Sequence, residues 1–212
     1  MSKKKKSKGV RYGVRNVHVA WFDEETEQYD TPLALPGCRS IKTSPEGDTK
    51  KWFADDTVYY VGRANNGYTA DLEMAKVALE VMAAAQGWEL DPDTGVLYEV
   101  TDGEEVNKPV ALLYEVEGDV TNTRFCYYYV TMDRPENEWS TTEDSVEPTT
   151  ETVSVSIDPL AFGDKHYVKA MCELTEKSAA VFDSWFKKVH TPPAAATPDA
   201  GGNEQGAEIT EG

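Results

Sequence analysis

Histidine is the side chain that most often supplies acid–base catalysis near neutral pH, and this chain has three of them. His18 lies within a predicted strand, His166 at the start of another, and His190 after a predicted helix. None stands at a spacing from a serine, cysteine or carboxylate that indicates a catalytic triad. The patterns HExxH and GxSxG and a phosphate-binding glycine loop are also absent from the sequence, so we expect no enzyme.

Metal binding and disulfide formation have equally little support. The chain has three cysteines, an odd number, and they are far apart with no CxxC pair: Cys38, Cys126 and Cys172. We therefore expect buried or unreactive thiols, with neither a zinc site nor a disulfide scaffold. Segment 91–95 (DPDTG) resembles the opening of a calcium loop but lacks the later ligands, which favours a turn. Asp55 and Asp56 could hold a divalent ion, although a lone acidic pair on an acidic protein is usually part of a solvated loop. We expect no cofactor and no metal.

The aromatic run Tyr127-Tyr128-Tyr129 is a possible platform for stacking sugars or bases. In a strand, however, Tyr128 points to the face opposite its two neighbours, so the run cannot form one platform. Packing in the core on one face and contact with a partner on the other is the simpler interpretation.

The net charge of the 212 residues is −17, and it is distributed unevenly. Residues 1–15 carry seven cations and no acid, and residues 191–212 carry four acids and no cation. The remaining segment therefore holds 14 cations against 34 acids, a poor surface for gripping nucleic acid phosphates. No apolar run is long enough to span a membrane, and no apolar segment follows the charged start as in a secretory signal.

Three parts follow from the composition. Residues 1–13 are rich in Lys, Ser and Gly and are predicted to form a flexible basic arm. Residues 14–190 carry the apolar residues of a folded domain. Residues 191–212 are predicted to form a disordered, acidic tail rich in Pro, Ala and Gly. The basic arm could dock on the acidic body of another copy, act as a nucleic-acid or nuclear-targeting patch, or remain free.

Most of the folded domain shows the period-two alternation of strands. Strands are predicted over 14–22, 66–74, 108–117, 122–132, 149–157 and 166–172. Helical spacing of apolar residues predicts one helix over 74–86, ended by Gly87, and a second over 176–188, capped by Thr175. Segment 133–152 is predicted to be a long exposed loop. The sequence thus predicts a mainly β protein, a sandwich or half-barrel with one inserted helix and one C-terminal helix.

Seven short segments then carry a family resemblance by their order and spacing. They are 16–18 (NVH), 34–37 (ALPG) with 40–41 (SI), 44–48 (SPEGD), 52–56 (WFADD), 65–69 (NNGYT), 108–115 (KPVALLYE) and 147–152 (EPTTET). In this arrangement the chain resembles the major tail proteins of long, non-contractile phage tails, which are the subunits of the tail tube. The resemblance covers about residues 10–190. Tube proteins of contractile tails share related folds and remain an alternative.

The resemblance implies a virion structural protein with no catalytic activity. In this family six subunits form a ring, and rings stack into a hollow tube around a tape-measure protein. The tube meets terminator and tip proteins at its ends, and DNA passes through it without specific binding. Assembly in the host cytoplasm and residence in the phage tail are implied as well.

Within this scheme, acids on the polar faces of strands are candidates for lining the channel, since like charge would keep DNA off the wall. These candidates are Asp71, Glu73, Glu115 and Glu117. Segment 42–60 is charged, rich in turn residues and carries an aromatic pair, which predicts a hairpin that contacts other subunits. Its contact candidates are Lys50, Lys51, Trp52, Phe53, Asp55 and Asp56. Packing of Trp52 on its own domain is the alternative.

Two other function classes remain open. The chain could be an acidic β-sandwich binding module that recognises carbohydrate or a cell-surface partner, with Trp52, Trp139 and the tyrosines as platforms. An enzyme whose site matches no known motif is the third. Self-assembly into rings or filaments separates the tube subunit from the binding module.

Overall fold

The computed structural model describes residues 9–101, 107–118, 120–139, 141 and 149–193. Its strands, in chain order, are β1 (Arg11–Asp23), β2 (Gln28–Tyr29), β3 (Leu33–Ala34), β4 (Cys38–Glu46), β5 (Thr49–Ala54), β6 (Thr57–Arg63), β7 (Gly67–Met74), β8 (Glu89–Leu90), β9 (Leu97–Tyr98), β10 (Val110–Gly118), β11 (Thr123–Met132), β12 (Glu136–Asn137), β13 (Glu151–Asp158), β14 (Leu160–Phe162), β15 (Lys165–Tyr167) and β16 (Lys169–Glu173). Its helices are α1 (Leu79–Gln86), between β7 and β8, and α2 (Ala179–Ser184), after β16. The prediction of a mainly β fold with one inserted and one C-terminal helix is confirmed.

One antiparallel sheet of ten strands forms the body. Its main path runs β2-β1-β10-β11-β13-β7-β4, with β3 added to β1, β12 to β13 and β16 to β11. The sheet forks at β11, whose first half pairs with β16 and whose second half pairs with β13. Strands β1 and β4 stand far apart in the strand order and yet lie in contact, so the sheet curls towards a half-barrel.

The centre of the sheet is buried on both faces, which explains the apolar composition of β10 and β11. One face points into the curled sheet, where Leu112 and Tyr127 pack with residues of β1, β7, β13 and α1. The opposite face carries Leu113, Cys126 and Tyr128, which pack against Trp185 and its neighbours after α2. The protein therefore has two apolar layers that share the same central strands.

Helix α1 begins at Leu79, five residues after the predicted start at 74. The intervening backbone is hydrogen-bonded to other parts of the sheet and so cannot join the helix. Met74 is paired within β7, the Ala75 amide donates to the Gly37 carbonyl, and the Val77 amide donates to the Glu151 carboxylate. The predicted end is confirmed, because Gly87 adopts the left-handed conformation that stops the helix, with φ of 65°.

Helix α2 is also shorter than predicted and Thr175 does not cap it. The Thr175 amide donates to the Ser178 hydroxyl, which itself donates to the Glu173 carbonyl. These bonds hold residues 176–178 in turns, so the helix starts only at Ala179. The apolar stripe is nevertheless used, with Phe182 and Trp185 buried against the sheet.

Strand β1 corrects two further expectations. It begins at Arg11, inside the segment predicted as a mobile arm, whereas residues 1–8 of that arm and 194–212 of the predicted C-terminal tail lie outside the described residues. Asn16 has a φ of 53° at a register shift in β1. This irregularity places Val14 and Val17 against the same core, although simple alternation assigned them to opposite faces.

The described part of the predicted loop 133–152 includes paired strand residues: β12 pairs with the start of β13, whose Glu151 and Thr152 also pair with β7. Residues 140 and 142–148 of that segment lie outside the described residues.

Candidate functional site

The hairpin formed by β5 and β6 projects from the body. It continues the β4–β7 pair, because the Asn66 amide donates to the Glu46 carbonyl and the Ala64 amide to the Asp48 carbonyl. Gly47 turns the ribbon at a φ of 138°, where an added Cβ would meet the Ala64 carbonyl oxygen at 2.1 Å. The sequence therefore needs glycine at the base of this hairpin.

Large apolar side chains cover both faces of this hairpin and are exposed to solvent. They are Trp52 (61% exposed), Phe53 (60%), Val58 (47%), Tyr59 (73%), Tyr60 (64%) and Val61 (43%). Trp52 contacts Tyr59 edge to face at 5.7 Å within the hairpin and remains exposed. An exposed, two-sided apolar hairpin is a typical surface for binding another protein.

The charged contact candidates lie on the same hairpin. Lys50 and Lys51 are exposed on β5. Asp55 and Asp56 form the two-residue turn at its end, with φ values of 50° and 59°, as in a type I′ hairpin turn. All six predicted contact residues therefore share one projecting element, and turn geometry explains the acidic pair.

Asp71 and Glu73 lie on the outward face of β7. Asp71 is exposed and accepts a hydrogen bond from Ser154. Glu73 accepts hydrogen bonds from Thr150 and Ser40, which lower the pKa of its carboxyl, and it pairs with Arg39 at 2.7 Å. Both acids keep access to solvent, and both also connect β7 to its neighbouring strands.

The alternation of β10 predicted that Glu115 lies on an exposed polar face. This prediction is wrong, because the Glu115 side chain is only 1% exposed. Its two carboxylate oxygens receive Arg15 at 2.7 Å and Arg124 at 2.5 Å. Burial raises the pKa of this carboxyl, but the hydrogen bonds from Arg124 and Arg15 outweigh burial and lower it. Glu115 thus forms structural ion pairs with Arg15 and Arg124, and its buried carboxylate cannot line a channel. Glu117 remains 39% exposed and pairs with Arg15 at 2.6 Å.

Arg124 connects this ion pair to the C-terminal segment. Its guanidinium lies 3.7 Å from the ring centre of Phe182 and 4.8 Å from that of Phe186, and it donates to the Phe182 carbonyl. No motif in the sequence marks Arg124, because its partners lie about 60 positions further along the chain. The only sequence signal was the coincidence of a mid-strand arginine with an aromatic stripe.

The tyrosine run is part of the core. Tyr127 and Tyr128 are each 2% exposed and lie in the two different apolar layers. The Tyr128 hydroxyl donates to the His190 carbonyl at 2.9 Å, and the Tyr129 hydroxyl donates to Glu24 at 2.6 Å. Alternation of the run is confirmed, and Tyr127 and Tyr128 are unavailable as a stacking platform.

The histidines near the C-terminal segment take part in packing. His18 stacks on Phe186 at 4.7 Å, and His190 stacks on Trp185 at 5.6 Å. His190 Nε2 lies 3.1 Å from the Ser184 hydroxyl, which also bonds the Ala180 carbonyl at the end of α2. Burial lowers the pKa of His190. This serine–histidine contact connects the last residue of α2 to the segment that follows it.

Burial raises the pKa of Cys38 to about 11, and Cys126 is fully buried. Across the described ranges, no cluster of three or more His, Cys, Asp or Glu side chains could hold a metal ion. Neither described helix is long and apolar enough to cross a membrane.

No family model matches the chain, and no curated protein matches it. The surfaces of the molecule itself are therefore the basis for inferring its function.

Proposed function

We propose that this chain is a virion structural protein, the major subunit of a phage tail tube. The observation that carries the proposal is the projecting β5–β6 hairpin, whose aromatic and aliphatic side chains are exposed on both faces of a protein that already has a complete core. Such a surface is costly in a free monomer and becomes useful when another subunit covers it.

Unpaired strand edges add a second kind of contact. Within the described part of the chain, β4 pairs only with β7 and β16 pairs only with β11. Open edges invite pairing with other chains, and pairing around a closed ring would satisfy them. Six subunits per ring is carried by the family resemblance alone.

The acidic charge suits passage of DNA through such a tube. Asp71, Glu73 and Glu117 are the acids that keep solvent access among those proposed for the channel wall. Arg39 and Arg15 pair with Glu73 and Glu117, so these cations are already occupied by carboxylates. A wall whose cations are paired in this way would hold DNA phosphates weakly and let DNA slide. A tape-measure protein within the tube, and terminator and tip proteins at its ends, complete the proposed set of partners.

The binding-module alternative loses part of its support, because Tyr127 and Tyr128 are buried. Its remaining platform would be the exposed side chains of Trp52 and Trp139, which are 61% and 72% exposed.

Negative-stain electron microscopy and mass photometry across a salt series test the proposal. We expect hollow stacked rings that become more abundant as salt screens repulsion between the acidic bodies. The double variant Trp52→Ser, Tyr59→Ser should remain folded and lose the stacked assemblies. A wild-type protein that stays monomeric at every salt and concentration would overturn the proposal, and glycan binding on an array would then favour the binding module.

A further inference from the structure

An apolar groove lies on the body beside the start of α1. The connection between β3 and β4 forms one wall, and the segment from Ala75 to Val81 forms the other. Leu33 and Leu79 are 50% and 41% exposed at its margins, and the groove has a volume of about 770 Å³. Its floor is fixed, since Leu35 and Val81 are buried in the core.

The groove and the β5–β6 hairpin occupy opposite ends of one ribbon. Strands β4 and β7 pair from Cys38 opposite Met74 at one end to Glu46 opposite Gly67 at the other. Gly37 and Ala75, at the first end, belong to the groove, and the hairpin continues from the second end. Nine residues of β4 separate the two sites by roughly 26 Å at about 3.3 Å per residue.

This placement determines how identical copies can meet. A hairpin that points away from its own body cannot reach the groove at the far end of the same ribbon. The next copy, placed along the direction of the ribbon, would bring its groove to the hairpin. A contact between two different surfaces of identical subunits does not close on itself in pairs and continues into a stack.

The two surfaces also match in chemistry. Both are mainly apolar, and both carry charge of each sign at their margins. The groove is lined in part by Lys76 and Glu80, which are exposed. The hairpin carries Asp55 and Asp56 at its end and two lysines along β5, so each charge of the groove has an opposite charge available on the hairpin.

We infer that the groove between residues 33–37 and 75–81 is the seat of the β5–β6 hairpin from a second copy of this chain. The inference rests on the proposed function and names the receiving surface for its stacking contact. Trp52 and Tyr59 are the aromatic side chains that would fill the groove, and the direction of β4 and β7 would follow the stacking axis.

Photo-crosslinking locates the seat directly. Benzoylphenylalanine replaces Tyr59, a position that is 73% exposed and tolerates a larger ring. Mixing isotope-labelled and unlabelled full-length protein before irradiation identifies crosslinks that join two copies. We expect such crosslinks to map to 33–37 or 75–81. Crosslinks that map elsewhere on the second copy, or only within one copy, overturn the inference.

A charge placed in the groove provides the second test. Leu79→Glu puts an acid in the first turn of α1, where the helix dipole favours it, so the fold should persist. Val181→Glu on α2 is the matched control, since Val181 is 39% exposed and lies outside the groove. We expect Leu79→Glu to weaken stacking by about tenfold or more and the control to leave it unchanged.

The outcomes separate the two proposals. If wild-type protein stacks and Leu79→Glu stacks equally well, the groove is not the seat, and the tube proposal stands. If wild-type protein shows no self-association by sedimentation at any concentration or salt, both fall together.

Discussion

Two antiparallel hairpins in this protein use the same residue types in opposite ways. In the β10–β11 pair, Tyr127 and Tyr128 are each 2% exposed, whereas Tyr59 and Tyr60 on the β5–β6 hairpin are 73% and 64% exposed. Both segments are rich in β-branched and aromatic residues, which favour strands wherever they occur. The difference lies in what covers them, because the central pair has an apolar layer on each face and the projecting pair has none.

This contrast teaches that strand formation and burial are separate properties. The composition of a segment is sufficient to form a strand, but the body decides whether its side chains stabilise the fold. The side chains on the projecting hairpin remain exposed, and we propose that they serve an interaction with another chain. Matched substitutions in the central pair and on the projecting hairpin test this division.

Leu112→Ala should destabilise the protein by about 4 kcal/mol, since Leu112 is fully buried and its removal leaves a cavity. Val58→Ala on the projecting hairpin is the control and should change stability by no more than about 0.5 kcal/mol. Urea unfolding followed by far-UV circular dichroism measures both. Equal losses of unfolding free energy would show that the β5–β6 hairpin contributes to the stability of the fold as much as the buried β10–β11 pair does.

Glu115→Gln should cost about 3 kcal/mol, because it leaves two arginines beside a neutral amide where a carboxylate was buried. The control Glu117→Gln removes a half-exposed acid and should cost about 1 kcal/mol or less.

The effect of Glu115→Gln should also depend on pH. The folded-state pKa of Glu115 lies below its ordinary value of 4.5, so its stabilisation is present above that pH and is lost as the pH falls through the folded-state pKa. Unfolding free energies of wild type and variant should therefore converge in acid. A constant difference down to the most acidic pH at which both fold would contradict the ion-pair assignment.

Gly47→Ala should cost about 2 kcal/mol and disturb the hairpin, because its φ of 138° strains an alanine and its Cβ would clash with the Ala64 carbonyl. Gly163→Ala separates these causes: its φ is also positive, at 62°, but no atom lies within 4 Å of the added Cβ. We expect about 1 kcal/mol there. If Gly47→Ala cost no more than this control, the close approach at the base of the hairpin would be disproved.

Tyr128→Phe should cost about 1 kcal/mol by removing the hydroxyl that binds the His190 carbonyl. Tyr60→Phe, the same change on the projecting hairpin, should leave stability unchanged. Thermal unfolding of the two variants side by side measures the difference. A loss at Tyr60 as large as that at Tyr128 would indicate that the projecting hairpin is part of the cooperative fold.

Much of the local structure can be predicted from neighbouring residues alone. Alternation with a period of two located β1, β7, β10, β11 and β13, and Gly87 marked the end of the first helix, because both signals depend on backbone geometry within a few residues. Alternation missed β4, and it predicted β15 and β16 as one strand over 166–172. Segment 42–60 was predicted as an exposed hairpin for the same reason, since its charges, turn residues and aromatic pair are visible locally. Its first residues, 42–46, belong instead to β4 of the main sheet, and the hairpin extends to Arg63.

Which polar residues are buried depends on contacts between distant parts of the chain. Glu115 looks like an exposed acid on an alternating strand, and it is buried because Arg15, 100 positions earlier, and Arg124 converge on it. The late start of α1 likewise depends on hydrogen bonds to Gly37 and Glu151 from other parts of the chain. Charges and backbone donors are satisfied by whatever the fold brings near them, and that proximity is not encoded in the spacing of neighbouring residues.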